Sequence, residues 1–191
     1  MIKMYRFFIW AGEDIEEVIR RYSNIVEAGI KMIFWEDFRL EWGVLPIGVV
    51  RGSFNKDRKQ VDIKKIIEAF RSMFKPEQGR IDIIFIGQGL YIDGREYIFS
   101  AAHIVTKTIV ISLGQLTQDI KPEDGGEILG ERIFKEVIHE LGHLIGLDHC
   151  SDPSCVMSFS STLRELDDKT PLLCKACVAK AESMGFKISF V

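Results

Sequence analysis

The sequence predicts an α/β fold: a mainly parallel, twisted sheet flanked by helices, with at least one antiparallel strand, expected at an edge. Three observations predict it. Strand-like apolar runs alternate with stretches of helical period along the chain. Asp93-Gly94 inside "YIDGREYIF" is the signature of a two-residue hairpin turn. "EILGERIFKEVIHELGHLIGL" carries one apolar stripe (Ile133, Phe134, Val137, Ile138, Leu141, Leu144, Ile145) and reads as a single long helix.

In chain order, Tyr5 to Trp10 reads as a first buried strand. Ile15, Val18, Ile19, Tyr22, Ile25 and Val26 then follow at helical spacing, with Gly29 as the expected stop, and "KMIFW" is expected to be a second strand. Residues 36–60 are the least patterned: "LPIGVVRG" has strand-like residues and "SFNKDRK" reads as a polar turn. Ile63, Ile66, Ile67, Phe70, Met73 and Phe74 form the next helical stripe, ended by Pro76. "RIDIIFIGQ" reads as a buried central strand, the hairpin follows, and "TIVISL" is another strand. After the long helix the pattern weakens until Thr170-Pro171, expected to be the cap and first position of a last helix running to about Met184.

The composition is that of an ordinary globular chain: 47% hydrophobic and 28% charged residues in 191. A formal charge of -3 offers no general attraction to nucleic acid or to an anionic membrane, so neither is expected as a partner. The apolar run in "MIKMYRFFIWAGEDIEE" is too short for a signal core or a membrane span. A cytoplasmic monomer is the expectation, starting nearly at its first element with no room for a long pro-segment.

The chemistry concentrates in "VIHELGHLIGLDHCSDPSCVM", which holds three of the four histidines and two of the four cysteines. His139 and His143 are four apart on a helix, so both imidazoles leave one face one turn apart. That spacing suits two nitrogens on one zinc. Glu140 is rotated away from that ion and can hold a zinc-bound water, the placement of a general base. Gly146 falls where the helix should stop, and the turn it permits brings His149 in as a third ligand. Three histidines leave the fourth tetrahedral position open, as a catalytic site requires. HExxH alone arises by chance in roughly one such chain in a hundred; adding Gly146 and His149 lowers that to roughly one in 100,000. The bland alternative is a set of unrelated core and surface histidines.

Cys150 and Cys155 follow at once, and Cys174 and Cys177 form a CxxC at the expected start of the last helix. Four thiolates complete a closed, structural zinc site that would clamp residues 150–177. Two disulfides or a redox CxxC are the alternatives. The lack of a secretory signal counts against the first, and the lack of a preceding strand against the second.

"HELGHLIGLDH" resembles the extended metzincin signature, whose metalloproteases place a methionine-containing turn beneath the metal; Met157 stands where that turn should be. Continued as "HCSDPSCVM", with a CxxC downstream, the motif resembles the archaemetzincin branch. "SFSSTLRELDDKTPLLCKAC" does so too, and more loosely so do "RKQVDI" and "IVISLGQL". The resemblance covers roughly residues 58–177. It implies a zincin fold in a single catalytic domain, with an N-terminal subdomain (1–146) ending in the active-site helix and a small zinc-stapled C-terminal subdomain (147–191). It implies two zinc ions per chain: a catalytic one on His139, His143 and His149 with Glu140 as base, and a structural one on Cys150, Cys155, Cys174 and Cys177. The implied activity is hydrolysis of peptide bonds in a peptide or protein substrate; a zinc-containing peptide-binding module without useful turnover is the alternative. An extended peptide is expected to pair with an edge strand, either the stretch Tyr97–Val105 or Thr108–Leu113. His103, in the first of these, is expected to be an ordinary surface or structural histidine. Phe159 stands two residues after Met157, where some metzincins have a tyrosine, and cannot donate a hydrogen bond.

Overall fold

The structure is a computed structural model that describes residues 4–35, 38–121 and 125–189. Contacts divide the chain into two units, Met1–Arg21 with Phe38–Gln118, and Tyr22–Asp37 with Asp119–Val191. Among the described residues, no helix is long and apolar enough to cross a membrane.

The first unit begins with strand β1 (Tyr5–Ala11) and helix α1 (Glu16–Arg21). After α2 (Ser23–Phe34), which belongs to the second unit, come β2 (Phe38–Val44), α3 (Ile47–Ser53), β3 (Phe54–Asn55), β4 (Gln60–Asp62) and α4 (Ile63–Met73). Then follow β5 (Arg80–Ile86), β6 (Gly89–Ile92), β7 (Arg95–Ile98), β8 (Ser100–His103), β9 (Thr108–Ser112) and α5 (Leu113–Leu116). The main sheet has the order β2-β1-β5-β9-β8. Its first four strands are parallel, and β8 pairs antiparallel with β9 at the edge. Every residue of β5 is buried, as expected for a parallel strand covered on both faces. Its one carboxylate, Asp82, is fully buried and takes donors from Trp10 Nε1, Arg71 Nη2 and Arg80 Nη2, each at 2.8 Å. A charge at that depth is tolerable only when so paired.

The hairpin turns at Asp93-Gly94 as expected, with Gly94 at φ 85°. Its place differs: β6 and β7 belong to a separate four-stranded sheet, β3-β4-β6-β7, and the antiparallel edge strand of the main sheet is β8. Of the two segments expected to offer an edge, β8 is at one and β9 is internal. "RKQVDI" has a local explanation. Asp62 caps α4 by accepting from the Lys64 and Lys65 amides and also accepts from Tyr91 Oη at 3.1 Å, while the Arg58 guanidinium lies 4.7 Å over the Tyr91 ring. In "IVISLGQL", the Gln115 side chain pairs with the backbone of Leu90 through both its oxygen and its nitrogen.

The second unit contains α2, α6 (Gly125–Ile145), α7 (Leu163–Asp168) and α8 (Lys175–Ser183). Three expectations fail here. "KMIFW" is not a strand: Lys31–Phe34 is the last turn of α2. A short apolar run cannot distinguish buried helix from strand by period alone. Gly29 does not stop that helix. It lies inside α2 and lets α6 approach closely, since a Cβ there would stand 2.9 Å from Val137 Cγ1. Thr170-Pro171 does not open the last helix, which starts at Lys175 with Cys174 as N-cap. Thr170 instead donates its amide and hydroxyl to Ser154 O at 2.9 and 2.8 Å. Helix α7 was not foreseen, although Thr162 and Glu165 form a complete capping box, a signal readable in "TLRE".

Candidate functional site

Helix α6 carries His139 and His143 on one face, and Gly146 ends it at φ 103°, in the left-handed region that favours glycine. The turn is closed by Gly146 N–H to His143 O (3.1 Å) and Leu147 N–H to Gly142 O (2.9 Å). Beyond it the ligand atoms of His139, His143 and His149 lie within 4.8 Å of one another, with the three residues buried, half-buried and exposed in that order.

The two helical imidazoles are each oriented by a carbonyl. His139 Nδ1 lies 2.8 Å from Val156 O, and His143 Nδ1 lies 2.8 Å from Leu147 O. A carbonyl only accepts, so each Nδ1 carries the proton and each Nε2 presents a lone pair. Those two Nε2 atoms are 3.1 Å apart. Burial pushes the His139 imidazole well below its ordinary pKa, with the charges of Lys169 and His143 adding to the effect; burial lowers His143 too. Two neutral rings aiming lone pairs at each other are an unfavourable pair unless a cation sits between them. Ligand bonds of about 2.0–2.1 Å in a tetrahedron put two nitrogens about 3.3 Å apart, so the donor set fits zinc.

Glu140 follows His139 on α6 and is 3% exposed. Met157 is fully buried under the same helix, and a Cβ at Gly142 would collide with its sulfur. Any side chain at the glycine of HELGH would have to displace the methionine. Phe159 packs on His149, ring centroids 5.4 Å apart. His103 lies on β8, is exposed, and has its Nδ1 2.7 Å from Thr106 Oγ1.

The four cysteines also converge. None is in a disulfide. Cys150 and Cys174 sulfurs are 3.7 Å apart, and those of Cys155 and Cys177 are 3.8 Å apart. These separations are far beyond the ~2.05 Å of a disulfide and match the ~3.8 Å edge of a tetrahedron with Zn–S near 2.3 Å. Amides support the sulfurs: Cys174 N–H points at Cys155 Sγ (3.3 Å) and Asp152 N–H at Cys150 Sγ (3.5 Å). The Cys177 amide holds the Cys174 thiol below its ordinary pKa, while burial pushes Cys155 and Cys177 up, Cys177 further through the charge of Cys155. Four thiolates cannot coexist there without a cation, and a soft dication satisfies the donor set.

The two clusters meet in one turn. Cys155 belongs to the thiol cluster, Val156 O orients His139, Met157 lies beneath Gly142, and Met157 O accepts from Cys150 N–H at 2.9 Å.

Sequence reasoning missed the buried charges around this turn. Arg132 pairs with Asp167 through two contacts of 2.7 and 2.6 Å. Lys135, 1% exposed, donates to the carbonyls of Leu166 and Asp167 at the end of α7. Lys169, 2% exposed, donates to Ser158 O at 3.3 Å and lies 3.8 Å from Glu136. Nothing in "ELDDKT" marks Lys169 as internal.

Comparison with known proteins shows which family the chain resembles. The profile of peptidase family M54 matches residues 1–183. An archaemetzincin of Saccharolobus islandicus is 31% identical over 174 residues, covering 90% of this chain and 87% of the relative. One from Aeropyrum pernix is 37% identical over 131 residues, covering 67% and 68%. The crystal structure of archaemetzincin from Methanopyrus kandleri superposes with a TM-score of 0.80 at 25% identity, over 95% of this chain and 96% of that one. The chain belongs to peptidase family M54, the archaemetzincins, a family of zinc metallopeptidases.

Proposed function

We propose that the chain hydrolyses peptide bonds at His139, His143 and His149, with Glu140 as general base, and that it holds two zinc ions, the second on Cys150, Cys155, Cys174 and Cys177. The observation that carries the reading is the pair of Nε2 atoms 3.1 Å apart, each made a donor to metal by a carbonyl on its other nitrogen. Zinc at the histidines would supply Lewis acidity, polarising the scissile carbonyl and acidifying water. The chain's own residues do the rest. Val156 O and Leu147 O hold the tautomer and direction of the two helical imidazoles. Glu140 takes the proton of the attacking water and returns one to the leaving amine. Met157 acts as the floor of a Met-turn, filling the space that Gly142 leaves open.

The test is a diverse peptide library incubated with the zinc-loaded protein and with Glu140→Gln. Cleavage by the wild type that the variant loses, with zinc retained in both, is expected. Equal cleavage by the two would overturn Glu140 as base, and no cleavage by either would favour a binding module.

A further inference from the structure

The ends of the parallel strands hold a cavity whose lining includes no residue of either metal-ligand cluster. In the order β2-β1-β5-β9, β1 leads on to β2 on one side, and β5 leads, by way of the second sheet, to β8 and β9 on the other. The winding therefore reverses between β1 and β5. Loops leaving two such strands part and open a crevice at the carboxyl ends, where α/β sheets bind ligands. A cavity of about 830 Å³ lies there, with Gly12, Glu13 and Asp14 after β1 and Gln88 after β5 in its wall. Leu45, Ile47, Val50 and Phe54 give it an apolar side, on which Ile47 and Phe54 are exposed. Arg51 of α3 and Lys56 of the β3–β4 turn complete it, and neither side chain has an ion-pair partner among the described residues. The acidic side is held in place. Gln88 Nε2 donates to Asp14 Oδ2 at 3.3 Å. A Cβ at Gly12 would stand 2.6 Å from Asp14 Oδ1, and one at Gly87 would collide with Asp14 Oδ2. Two glycines at the ends of adjacent strands thus leave the notch in which this carboxylate sits. In nucleotide-binding sheets that notch takes a phosphate on bare backbone amides. Here it holds a negative charge, with Glu13 next to it in sequence, so it repels an anion and attracts a cation.

We propose that this cavity binds a short apolar peptide as a free zwitterion, with its terminal ammonium on Asp14, its side chains on Leu45, Ile47, Val50 and Phe54, and its terminal carboxylate on Arg51 and Lys56. The charges of the lining name the ligand. The two anions come from the loop after β1 and the two cations from α3 and the turn after β3, so the lining is neutral in sum and divided by origin. A ligand that matches it carries one charge of each sign on an apolar body. A sugar leaves the apolar side uncovered, and a nucleotide brings its phosphate with no place in the notch. The volume is that of a drug-sized ligand and larger than one amino acid. Short peptides are what a metallopeptidase releases, which makes the cavity a site for a product or an effector. Every lining residue belongs to the first unit, and both metal-ligand clusters belong to the second. The inference therefore holds whether or not Glu140 is the base.

The test is a titration of the zinc-loaded full chain with trileucine, followed by the methyl resonances of Leu45, Ile47 and Val50. Intact peptide is quantified in the same samples by mass spectrometry, so that any cleavage is accounted for. Saturable shifts at these methyls are expected. N-acetyl-trileucine and trileucine amide should each bind about fivefold more weakly, the scale of a solvent-exposed ion pair. Asp14→Asn should cost the free peptide about fivefold and the acetylated peptide nothing further. Arg51→Gln combined with Lys56→Gln should do the same for the free carboxylate against the amide. Ile47→Asp, a change at an exposed position, should abolish binding and leave the melting temperature near that of the wild type. If it does not fold, Phe54→Ser, also exposed, takes its place. AMP titrated in parallel should leave the three methyls unmoved. No saturable shift at these methyls, equal affinity for free and acetylated trileucine, or wild-type affinity in Ile47→Asp overturns the proposal. Shifts of the same methyls by AMP at lower concentration than by trileucine overturn it in favour of a nucleotide.

Discussion

The histidine and cysteine clusters adjoin in sequence at His149 and Cys150 and are built on opposite plans. The cysteine cluster has four donors, two sulfur pairs at tetrahedral separation and amides pointed at its sulfurs. It has no position left for a reactant. The histidine cluster has three donors, graded from buried to exposed, with a buried carboxylate on the next residue of the helix. A complete donor set makes a staple, and an incomplete one leaves room for water and substrate. The contrast also shows dependence: the turn that bears Cys155 carries the carbonyl that orients His139.

The sharpest way to break this comparison is Glu140→Gln. Hydrolysis should fall by roughly 10²–10⁴-fold with zinc content unchanged, read by peptide cleavage beside metal analysis. Next is Cys174→Ser. It should empty the cysteine site and also weaken zinc at the histidines, because Cys150 neighbours His149 and Cys155 neighbours Val156. Chelator competition measures the second effect, and an unchanged histidine affinity would separate the sites. Gly142→Ala should cost about 1–3 kcal/mol in denaturant unfolding, since the new methyl collides with Met157. Acid should act on the histidine side. The unfolded chain takes up a proton near pH 6.5, whereas burial keeps His139 neutral to lower pH. The metal-free fold therefore loses stability as pH falls below about 6.5 and is not affected by this group above it; melting temperatures between pH 8 and pH 5 test the sign. The smallest effect belongs to Met157→Leu, a volume-conserving change costing less than about 1.5 kcal/mol, with zinc retained.

Much of the candidate site was legible because its geometry is local. A helix puts His139 and His143 on one face whatever surrounds it, and Gly146 turns the chain where His149 can join them. The cysteine spacing was legible for the same reason, with CxxC at a helix start. The elements misread were those where local signals conflict with distant partners. The apolar "KMIFW" satisfies either period, and only the helical surroundings of α2 and the approach of Val137 to Gly29 decide it. Thr170-Pro171 has the form of a helix start, but Ser154 O claims the Thr170 donors.

By itself, then, the sequence determined the α/β class, the central strand Arg80–Ile86, the long helix and the two donor sets, because hydrophobic period and ligand spacing act within a few residues. Tertiary structure alone decided the rest. It put the hairpin in a second sheet and β8 at the edge of the first. It routed the Val156 carbonyl to His139 and buried Arg132, Lys135 and Lys169 around one turn. A lysine's burial depends on which carboxylates and carbonyls other segments bring to it. Glu136 is far from position 169 along the chain and meets its ammonium only once the helices have packed.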